Sequence, residues 1–380
     1  MEFINNTNMV KKKIIFLIPT LMNGGAERVL TNLVNNLDQN KFDIYVKTIM
    51  DVGRFQSKLK SHIHYSYVFG KLVYGTSTIF KLFSPNFLFN CIVGNNYDIV
   101  VSYLEGPTAR IVSGCTNPQI KLVSWIHIEL NTDAQFANGF RSVREAIACY
   151  KKFNMNVCVA ETVRRIFCKY PIDSSKTCVR YNTNETALIR EMSLEKVDDV
   201  IFNKDVLNIC SVAKIVKTKG FDRLARIHKR LKDEGYKTHF YIIGEGNQRS
   251  SIEKFIVDNK CTDTFTFVGY RENPYKYISK CDLYVCSSLR EGFSTAVTEA
   301  LVLGLPVIST NCSGAVELLG ENNEYGIVTD NDEDSLYQAI KKFLEDPNLL
   351  PLYKVRSKKR GCNFETESTV KAVESLFQNL

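Results

Sequence analysis

Two glutamates frame the predicted start of a helix in the second half of this chain. The stretch REGFSTAVTEALVLGLPVIST, residues 290–310, places Glu291 before a turn of small residues and Glu299 about one turn into a helix that begins near Thr295. A helix start carries unpaired backbone N–H groups and the positive end of the helix dipole, which suit a phosphate or a diphosphate. Gly292 and Ser294 are small enough to let such a ligand approach closely. The stretch therefore predicts an anion site.

A carboxylate beside an anion site needs its own explanation, because it would repel a phosphate directly. It would instead accept hydrogen bonds from hydroxyl groups on either side of that phosphate. A nucleotide sugar supplies this arrangement, with ribose hydroxyls on one flank of its pyrophosphate and sugar hydroxyls on the other. The alternative is that Glu291 caps the turn and that Glu299 reflects the acidic bias of first helical turns. The two glutamates together with this turn favour the ligand.

Lysines crowd a second predicted loop. In SVAKIVKTKGFDRL a strand runs into a short loop that contains Lys214, Lys217 and Lys219, followed by an amphipathic helix. Three cations so close together would stabilise the charge that develops on a diphosphate leaving group. The alternative is an ordinary solvated loop.

Polar residues also follow predicted strands of the first half. Gly24 and Gly25, in NGGAERV, join a strand to a helix, where backbone N–H groups can approach a phosphate or an acceptor. His127 follows the strand LVSW, and its neutral imidazole could bind a sugar hydroxyl, although a lone histidine beside a strand is often structural. Glu105 ends another predicted strand and could orient an acceptor.

Strands and helices alternate along the chain in two blocks. Predicted strands of the first block are residues 11–21, 42–50, 97–106, 120–129 and 154–161, and the second block runs from VLNICSVAKI to LPVISTN. This alternation predicts an α/β fold of parallel sheets covered by helices on both faces.

A polar stretch without a strong period, residues 181–204, separates the blocks and is predicted to be a linker. The chain is therefore divided into two Rossmann-like domains, residues 1–190 and 191–364, and a final helix, residues 365–380, that packs back on the first domain. Because ligands of open α/β sheets bind beyond the carboxyl ends of the strands, the two sheets are expected to face a central cleft.

The composition agrees with a two-domain globular protein. The chain has 380 residues, of which 44% are hydrophobic and 24% charged. No apolar run approaches the ~20 residues that span a bilayer. The opening MVKKKIIFLIPTL imitates a signal peptide, but polar residues follow at once, which favours a buried first strand. The twelve scattered cysteines favour reduced thiols in a cytoplasmic protein.

Positive charge is concentrated in the first half. Residues 1–190 contain 23 Lys and Arg against 13 Asp and Glu, whereas the remainder contains 26 against 28. A basic surface attracts nucleic acid, anionic lipid or phosphorylated substrates, or it serves only solubility. No basic cluster is interleaved with aromatic residues, which disfavours nucleic acid.

The motifs occur in an order that resembles one enzyme family. NGGAERV, WIH, AKIVKTKGFDRL, IIGEGNQR, FVGY and the glutamate pair followed by AL-x-x-G-x-PV-x-ST are similar to the signature of retaining glycosyltransferases of the GT-B fold. That large family includes sucrose, mannosyl and bacterial polysaccharide transferases. The resemblance covers nearly the whole chain, and it implies two Rossmann-like domains and no requirement for a metal.

The resemblance also implies roles for particular residues. Glu291 would touch the hydroxyls of the transferred sugar with His127 beside it, and Glu299 would bind the ribose. The family usually has arginine where Lys214 stands. This lysine supplies a positive charge but cannot form the paired hydrogen bonds of a guanidinium group. The predicted catalytic residues are His127, Lys214, Lys219 and Glu291. The residues predicted to bind the donor are Gly24, Gly25, Gly244, Tyr270, Gly292, Phe293, Ser294, Thr295 and Glu299.

An Asp-x-Asp sequence, Asp330–Asp332, imitates the metal-binding motif of other glycosyltransferases. It precedes a predicted helix, and acidic residues at that position commonly cap the helix. We therefore predict a structural role for it and no metal site.

The expected activity is a hexosyl transfer with retention of configuration. The second domain would hold a nucleotide-diphosphate sugar, for which a UDP-sugar is expected rather than a GDP-sugar. The basic first domain would hold the acceptor. A glycan or lipid-linked oligosaccharide of bacterial surface polysaccharide synthesis is the expected acceptor, with peripheral contact to an anionic inner leaflet. Alternatives are a nucleotide-sugar epimerase on the same scaffold and a nucleotide-sugar sensor without catalysis.

Overall fold

The computed structural model describes residues 10–22 and 24–380, so Asn23 of the glycine-rich motif lies outside the described residues. The chain forms two compact units. The N-terminal unit comprises residues 1–183 and 367–380, and the C-terminal unit comprises residues 184–366. Within the described ranges, no helix combines the length and the apolar character needed to cross a bilayer.

The N-terminal unit is built on a seven-stranded parallel sheet. Its strands are β1 (Lys12–Ile18), β2 (Phe42–Met50), β3 (His64–Phe69), β4 (Ile99–Ser102), β5 (Lys121–Ile126), β6 (Met155–Cys158) and β7 (Thr177–Val179). The order in the sheet is β3-β2-β1-β4-β5-β6-β7. In the centre, Ile14 of β1 pairs with Ile44 of β2 and Ile99 of β4, and all three are buried. Residues 14–18 of β1 and 99–101 of β4 are apolar and buried because both faces of these central strands are covered.

Helices connect the parallel strands of this unit. They are α1 (Gly25–Asn36), α2 (Thr76–Phe80), α3 (Pro85–Ile92), α4 (Pro107–Val112), α5 (Asp133–Phe136), α6 (Val143–Tyr150) and α7 (Glu161–Phe167). The predicted buried first strand is confirmed: residues Ile14 to Ile18 of β1 are at most 1% exposed.

The C-terminal unit repeats this plan on six parallel strands. They are β8 (Leu207–Val212), β9 (Thr238–Ile243), β10 (Phe265–Gly269), β11 (Leu283–Cys286), β12 (Val307–Thr310) and β13 (Ile327–Thr329), in the order β10-β9-β8-β11-β12-β13. Its helices are α8 (Thr186–Ser193), α9 (Phe221–Asp233), α10 (Arg249–Asp258), α11 (Tyr275–Ile278), α12 (Thr295–Val302), α13 (Ala315–Leu319), α14 (Glu333–Glu345) and α15 (Leu349–Gly361).

The last helix, α16 (Thr366–Gln378), packs on the N-terminal unit. The ring of Phe377 lies 6.0 Å from that of Phe16 and 6.2 Å from that of Phe42, measured between centroids. Glu374 accepts a hydrogen bond from the backbone N–H of Asp38 over 2.8 Å. The helix thereby extends the core around β1 and β2.

The predicted linker is wrong in part. Residues 181–204 contain helix α8, which belongs to the C-terminal unit, so the units divide at residue 183 and not at 190. Ile189 is buried, and Met192 O accepts a hydrogen bond from Asn273 Nδ2 over 2.8 Å. A short helix with few buried positions among polar residues has only a weak apolar period, which explains why the pattern did not reveal it.

The strand order of each sheet reverses between its first and fourth strands, which is the switch point of the sheet. In the N-terminal unit this place lies between β1 and β4, and in the C-terminal unit between β8 and β11. Open α/β sheets bind ligands at this place, beyond the carboxyl ends of the strands. The residues that follow these four strands are therefore the first candidates for a functional site.

Candidate active site

Three loops meet at the carboxyl edge of the C-terminal sheet. They are the β8 loop (213–220), the β9 loop (244–248) and the β11 loop (287–294). Ser287 Oγ donates a hydrogen bond to Lys219 O over 2.8 Å, which joins the β11 loop to the β8 loop. Ile215 N donates to Glu245 O over 2.9 Å, which joins the β8 loop to the β9 loop. The three loops therefore support one another.

Two glycines permit this close packing of loops. Gly220 has a φ of +66°, and a Cβ atom there would lie 2.2 Å from Ser287 O. Gly244 has a φ of +146°, and a Cβ atom there would lie 1.9 Å from Ala213 O. Both the left-handed backbone and the contact with a carbonyl exclude other residues. Gly244, predicted to bind the donor, thus has a structural task in placing the β9 loop.

Lys219 and Glu291 form an ion pair between two of these loops. The Nζ atom of Lys219 lies 2.6 Å from Oε1 of Glu291, and the two side chains are 24% and 12% exposed. Ser288 Oγ donates a second hydrogen bond to the same oxygen over 2.7 Å. The partial burial limits solvent screening of the pair. The structure thus brings together two residues that the sequence predicted separately.

The β11 loop ends at the start of helix α12. Ser294 is the N-cap, and its side chain accepts a hydrogen bond from the backbone N–H of Val297 over 3.4 Å. Thr295 is the first helical residue, as predicted. Gly292 is partly exposed, whereas Phe293 is buried with its ring near that of Phe364. The ring of Phe293 therefore anchors the loop from inside and leaves the backbone of the turn for a ligand.

Glu299 has a different environment from that of Glu291. It lies on the buried face of α12 and is 1% exposed. The hydroxyl of the buried Tyr275 donates a hydrogen bond to Glu299 Oε1 over 3.3 Å. A buried carboxylate needs such partners, and this one fixes the orientation of the Glu299 side chain.

Lys214 and Tyr270 occupy more exposed positions on the same edge. Lys214 is exposed near the beginning of the β8 loop. Tyr270 directly follows β10 and is 51% exposed. A half-exposed aromatic ring at the edge of a sheet can stack on a planar ligand.

The N-terminal unit has buried polar groups after β4 and β5. Glu105 Oε2 accepts a hydrogen bond from the backbone N–H of His127 over 3.0 Å. His127 is buried, and desolvation lowers its pKa to about 3, so the imidazole is neutral at physiological pH. Its Nε2 atom and the hydroxyl of the buried Tyr103 have no hydrogen-bond partner within the described residues. Unpaired buried polar atoms are unfavourable, so these two atoms suit the hydroxyls of a ligand.

Two carboxyl groups of the N-terminal unit resist ionisation. Burial raises the pKa of the Glu105 carboxyl, although the hydrogen bond from His127 N opposes the shift. Burial also raises the pKa of Glu27, whose side chain is hydrogen-bonded to Thr20 after β1. A carboxyl group with a raised pKa is a frequent feature of functional sites.

The glycine pair begins helix α1. Gly24 is its N-cap, and a Cβ atom there would lie 2.0 Å from Glu27 Oε2. Gly25 is the first helical residue, and a Cβ atom there would meet no atom within 4 Å. Gly24 therefore gives room to the Glu27 carboxylate, while open space beside Gly25 leaves access to the helix start.

The Asp-x-Asp sequence caps a helix, as predicted. Asp332 is the N-cap of α14 and accepts hydrogen bonds from Ser335 N and Ser335 Oγ, both over 2.8 Å. Asn331 joins two segments, because it accepts from Arg223 Nη1 over 3.0 Å and donates to Leu289 O over 3.0 Å. In the described part of the chain, no three His, Cys, Asp or Glu side chains are grouped in a way that could hold a metal ion.

Sequence reasoning missed three residues of these sites. Ser288 binds Glu291, Tyr275 binds Glu299, and Tyr103 lies with its ring centroid 4.9 Å from that of His127. Tyr103 directly follows β4 and Ser288 is the second residue after β11, at the two switch points, and that position was the available signal. Nothing local to Tyr275 indicates its contact with α12.

Comparison with known families decides the classification. The model of the "Glycosyl transferases group 1" family matches residues 194–360, and that of "Glycosyltransferase Family 4" matches residues 23–187. The two matches follow one another and together span most of the chain. The chain belongs to the group 1 glycosyltransferases. This glycosyltransferase carries its group 1 match on the unit that contains Lys219 and Glu291.

Curated relatives of this glycosyltransferase include bacterial and archaeal proteins. One is the N-acetylgalactosamine-N,N'-diacetylbacillosaminyl-diphospho-undecaprenol 4-alpha-N-acetylgalactosaminyltransferase of Campylobacter jejuni, 26% identical over 93% of this chain and 96% of that enzyme. Another is the capsular polysaccharide biosynthesis glycosyltransferase CapM of Staphylococcus aureus, 26% identical over 44% of each chain.

Solved structures confirm the GT-B fold predicted for this glycosyltransferase. A glycosyltransferase of Rickettsia africae superposes with a TM-score of 0.78 over 97% of this chain and 98% of its own, at 17% identity. Anabaena Alr3699/HepE, solved in complex with UDP and glucose, superposes with a TM-score of 0.77 over 97% of this chain and all of its own, at 16% identity. The likeness in fold extends over both units.

Proposed function

We propose that this glycosyltransferase moves a hexosyl residue from a nucleotide-diphosphate sugar to a glycan or lipid-linked oligosaccharide, with retention of configuration. The observation that carries the proposal is the Lys219–Glu291 ion pair beside the start of α12, at the switch point of the C-terminal sheet. This position supplies a cation and helix N–H groups for a diphosphate and a carboxylate for neighbouring hydroxyls.

The C-terminal unit would bind the donor. Lys219 and Lys214 would neutralise the departing diphosphate together with the start of α12. Glu291 would accept hydrogen bonds from the transferred sugar, and its pairing with Lys219 and Ser288 holds the carboxylate in place before the donor arrives. Glu299 would reach the ribose, with Tyr275 orienting it. Tyr270 would stack on the base.

The N-terminal unit would supply groups for sugar hydroxyls. His127 Nε2 and the hydroxyl of Tyr103 are buried and unpaired within the described part of the chain. The neutral imidazole can accept or donate one hydrogen bond without repelling a cationic or anionic group. Gly24 and Gly25 would leave the start of α1 open to the diphosphate or to the acceptor.

The chemical step would need no general base from the protein. In a retaining same-face substitution, the acceptor hydroxyl attacks the anomeric carbon from the face of the sugar ring on which the bond to the departing phosphate oxygen breaks. We infer that this phosphate takes the proton of the acceptor hydroxyl as the new bond forms. The lysines and the helix start would stabilise the charge on the diphosphate without a resident metal ion. The donor nucleotide is proposed to be UDP, in keeping with the UDP bound to Alr3699/HepE.

The acceptor would belong to the synthesis of a bacterial surface polysaccharide. The Campylobacter enzyme, similar over nearly its full length, is named for an acceptor on diphospho-undecaprenol. The basic N-terminal half would suit such an anionic lipid-linked substrate. The enzyme would then work at the cytoplasmic face of the membrane as a peripheral protein.

A donor screen followed by a transfer assay tests this function. The purified chain is first mixed with UDP- and GDP-sugars, because a ligand at a hundred times its Kd stabilises the folded protein by about 2.7 kcal/mol. The stabilising donor is then incubated with a lipid-diphosphate-linked sugar acceptor, and released UDP and the new glycoside are measured. The anomeric configuration of the product, read by NMR coupling constants, tests retention.

Three outcomes would contradict the proposal. Interconversion of the free nucleotide sugar without acceptor would indicate an epimerase. Binding of the donor with no release of nucleotide diphosphate under any acceptor would indicate a sensor. Product of inverted configuration would reject the same-face substitution but leave the transfer itself intact.

A further inference from the structure

The N-terminal unit carries an apolar tip that the proposed chemistry does not use. We define the tip as the side chains of Ile79, Leu82, Phe83 and Phe87, which lie at the end of α2 and the start of α3. All four are exposed, Leu82 by 79%. The rings of Phe83 and Phe87 stack with their centroids 5.3 Å apart. Clustered exposed apolar side chains commonly mark a surface of interaction.

Two arginines hold the backbone of the tip in shape. Arg110, a side chain that is only 1% exposed, donates to Phe80 O over 2.8 Å and to Phe83 O over 2.9 Å, and it pairs with Glu145. Arg141 donates to Lys81 O over 2.6 Å and to Phe83 O over 3.2 Å. These bonds satisfy the carbonyl groups at and beyond the end of α2, which would otherwise need water. The tip is therefore a supported element whose apolar side chains point outward from an anchored backbone.

The tip lies in a part of the chain without acidic residues. Between Asp51 and Asp98 the sequence contains five Lys and Arg and no Asp or Glu. Lys81 is within the tip segment, and Arg144, on α6 close to the Arg141 that binds the tip, is exposed. The carboxylate of Glu145 lies beside the two supporting arginines, but it is paired with Arg110 and accepts a hydrogen bond from the backbone N–H of Arg141. Exposed apolar side chains beside Lys81, Arg141 and Arg144 are the composition of a surface that binds anionic membranes.

We propose that the tip inserts into the headgroup region of an anionic membrane. Leu82, Phe83 and Phe87 would enter the boundary between headgroups and acyl chains, and the neighbouring cations would contact lipid phosphates. A symmetric contact between two copies of the chain is disfavoured, because it would place the same cations of both copies side by side. The inference deepens the proposed function, since it assigns to one surface the membrane contact that a lipid-linked acceptor requires.

Vesicle sedimentation tests the proposal without any sugar substrate. The full chain is mixed with vesicles of phosphatidylcholine alone and with vesicles that also contain phosphatidylglycerol. We expect binding to the anionic vesicles, weaker binding at high salt, and a partition coefficient about tenfold to a hundredfold lower for the double variant L82S/F83S. V257S removes a 60% exposed apolar side chain of α10 in the other unit and should bind as the parent does.

The tip variants are expected to fold, because Leu82 and Phe83 are 79% and 42% exposed and neither belongs to the buried core. An unchanged thermal transition checks this. L82S alone serves if the double variant is unstable.

Equal binding of parent and variant, or no binding of the parent to anionic vesicles, overturns the proposal. A parent dimer in light scattering that L82S/F83S dissociates would reassign the tip to a second copy. Vesicle binding is measured without donor and is therefore independent of catalysis. If sugar transfer fails while binding still depends on the tip, the proposed function is rejected and the proposed membrane contact of the tip stands.

Discussion

Replacing Lys219 by methionine should show how much the Lys219–Glu291 pair contributes to the stability and activity of the proposed donor site. The substitution removes the cation and keeps most of the side-chain volume. Glu291 then retains the hydrogen bond from Ser288 but loses its counterion at 2.6 Å. A poorly solvated carboxylate without a cation destabilises the fold, because solvent replaces the lost interaction only in part.

The exposures of the two side chains set the magnitude. Loss of one partner from a fully buried pair costs about 3–5 kcal/mol, whereas exposed pairs contribute about 0–1 kcal/mol. With Lys219 24% and Glu291 12% exposed, an intermediate loss of about 2 kcal/mol is expected, which for a unit of this size lowers Tm by about 4–8 °C. In the double variant Lys219→Met/Glu291→Gln no uncompensated charge remains, so a coupling energy of about 1–2 kcal/mol should appear.

Urea unfolding of parent, single and double variants without nucleotide measures the cycle. Lys217→Met removes an exposed cation from the same loop and should change stability by less than about 0.5 kcal/mol. The rate of sugar transfer should fall by about 10²–10³ for Lys219→Met, and the double variant should recover stability without recovering rate. Additive effects within about 0.3 kcal/mol would refute the view that the pair holds the loop.

Three further predictions concern the glycines, the histidines and the metal. Gly244→Ala should destabilise the protein by about 3 kcal/mol in urea unfolding, because its Cβ would lie 1.9 Å from Ala213 O at a φ of +146°, while Gly25→Ala, which meets open space, should change it by less than about 1 kcal/mol. Burial lowers the pKa of His228 to about 4 and of His127 to about 3. The unfolded chain therefore binds protons that the folded protein excludes below a pH of ~6.5, and the free energy of unfolding should fall by about 2 kcal/mol per histidine between pH 7 and pH 5. A His228→Gln variant with an undiminished loss over that interval would show that this histidine is not responsible. Sugar transfer should survive chelation by EDTA, and an activity that EDTA abolishes and Mg²⁺ restores would reject the metal-free mechanism.

The interior strands could be predicted from the sequence, but three edge strands could not. β1, β4 and β5 are largely apolar because both of their faces are covered, and β2 alternates buried with partly exposed side chains over its first six residues. By contrast, β3 lies at an edge with most of its side chains in contact with solvent, and β7 and β13 are edge strands of three residues each. Such strands lack a distinct apolar period. Their pairing comes from the neighbouring strand, so it is absent from the local pattern.

The features of the candidate site also divide into those that the sequence predicted and those that it did not. The start of α12 at Thr295 was predictable, because capping residues and apolar spacing act within one or two helical turns. Glu299 was predicted to bind the ribose, which stays a prediction, whereas its burial and its hydrogen bond from Tyr275 were not predicted. That contact depends on how α11 packs on the unit, which no local spacing encodes.

What the sequence alone determined is what short-range chemistry controls: the buried strands, the helix starts, the excess of cations in the first half and the motifs typical of GT-B enzymes. Only the tertiary structure decided that Lys219 pairs with Glu291, that His127 Nε2 remains unpaired among the described residues, and that Arg110 and Arg141 anchor the apolar tip. These contacts join residues far apart in the chain. They exist because β8 lies beside β11, β4 beside β5, and α6 near the end of α2, and the order of the strands and the packing of the helices are settled only when the whole core forms.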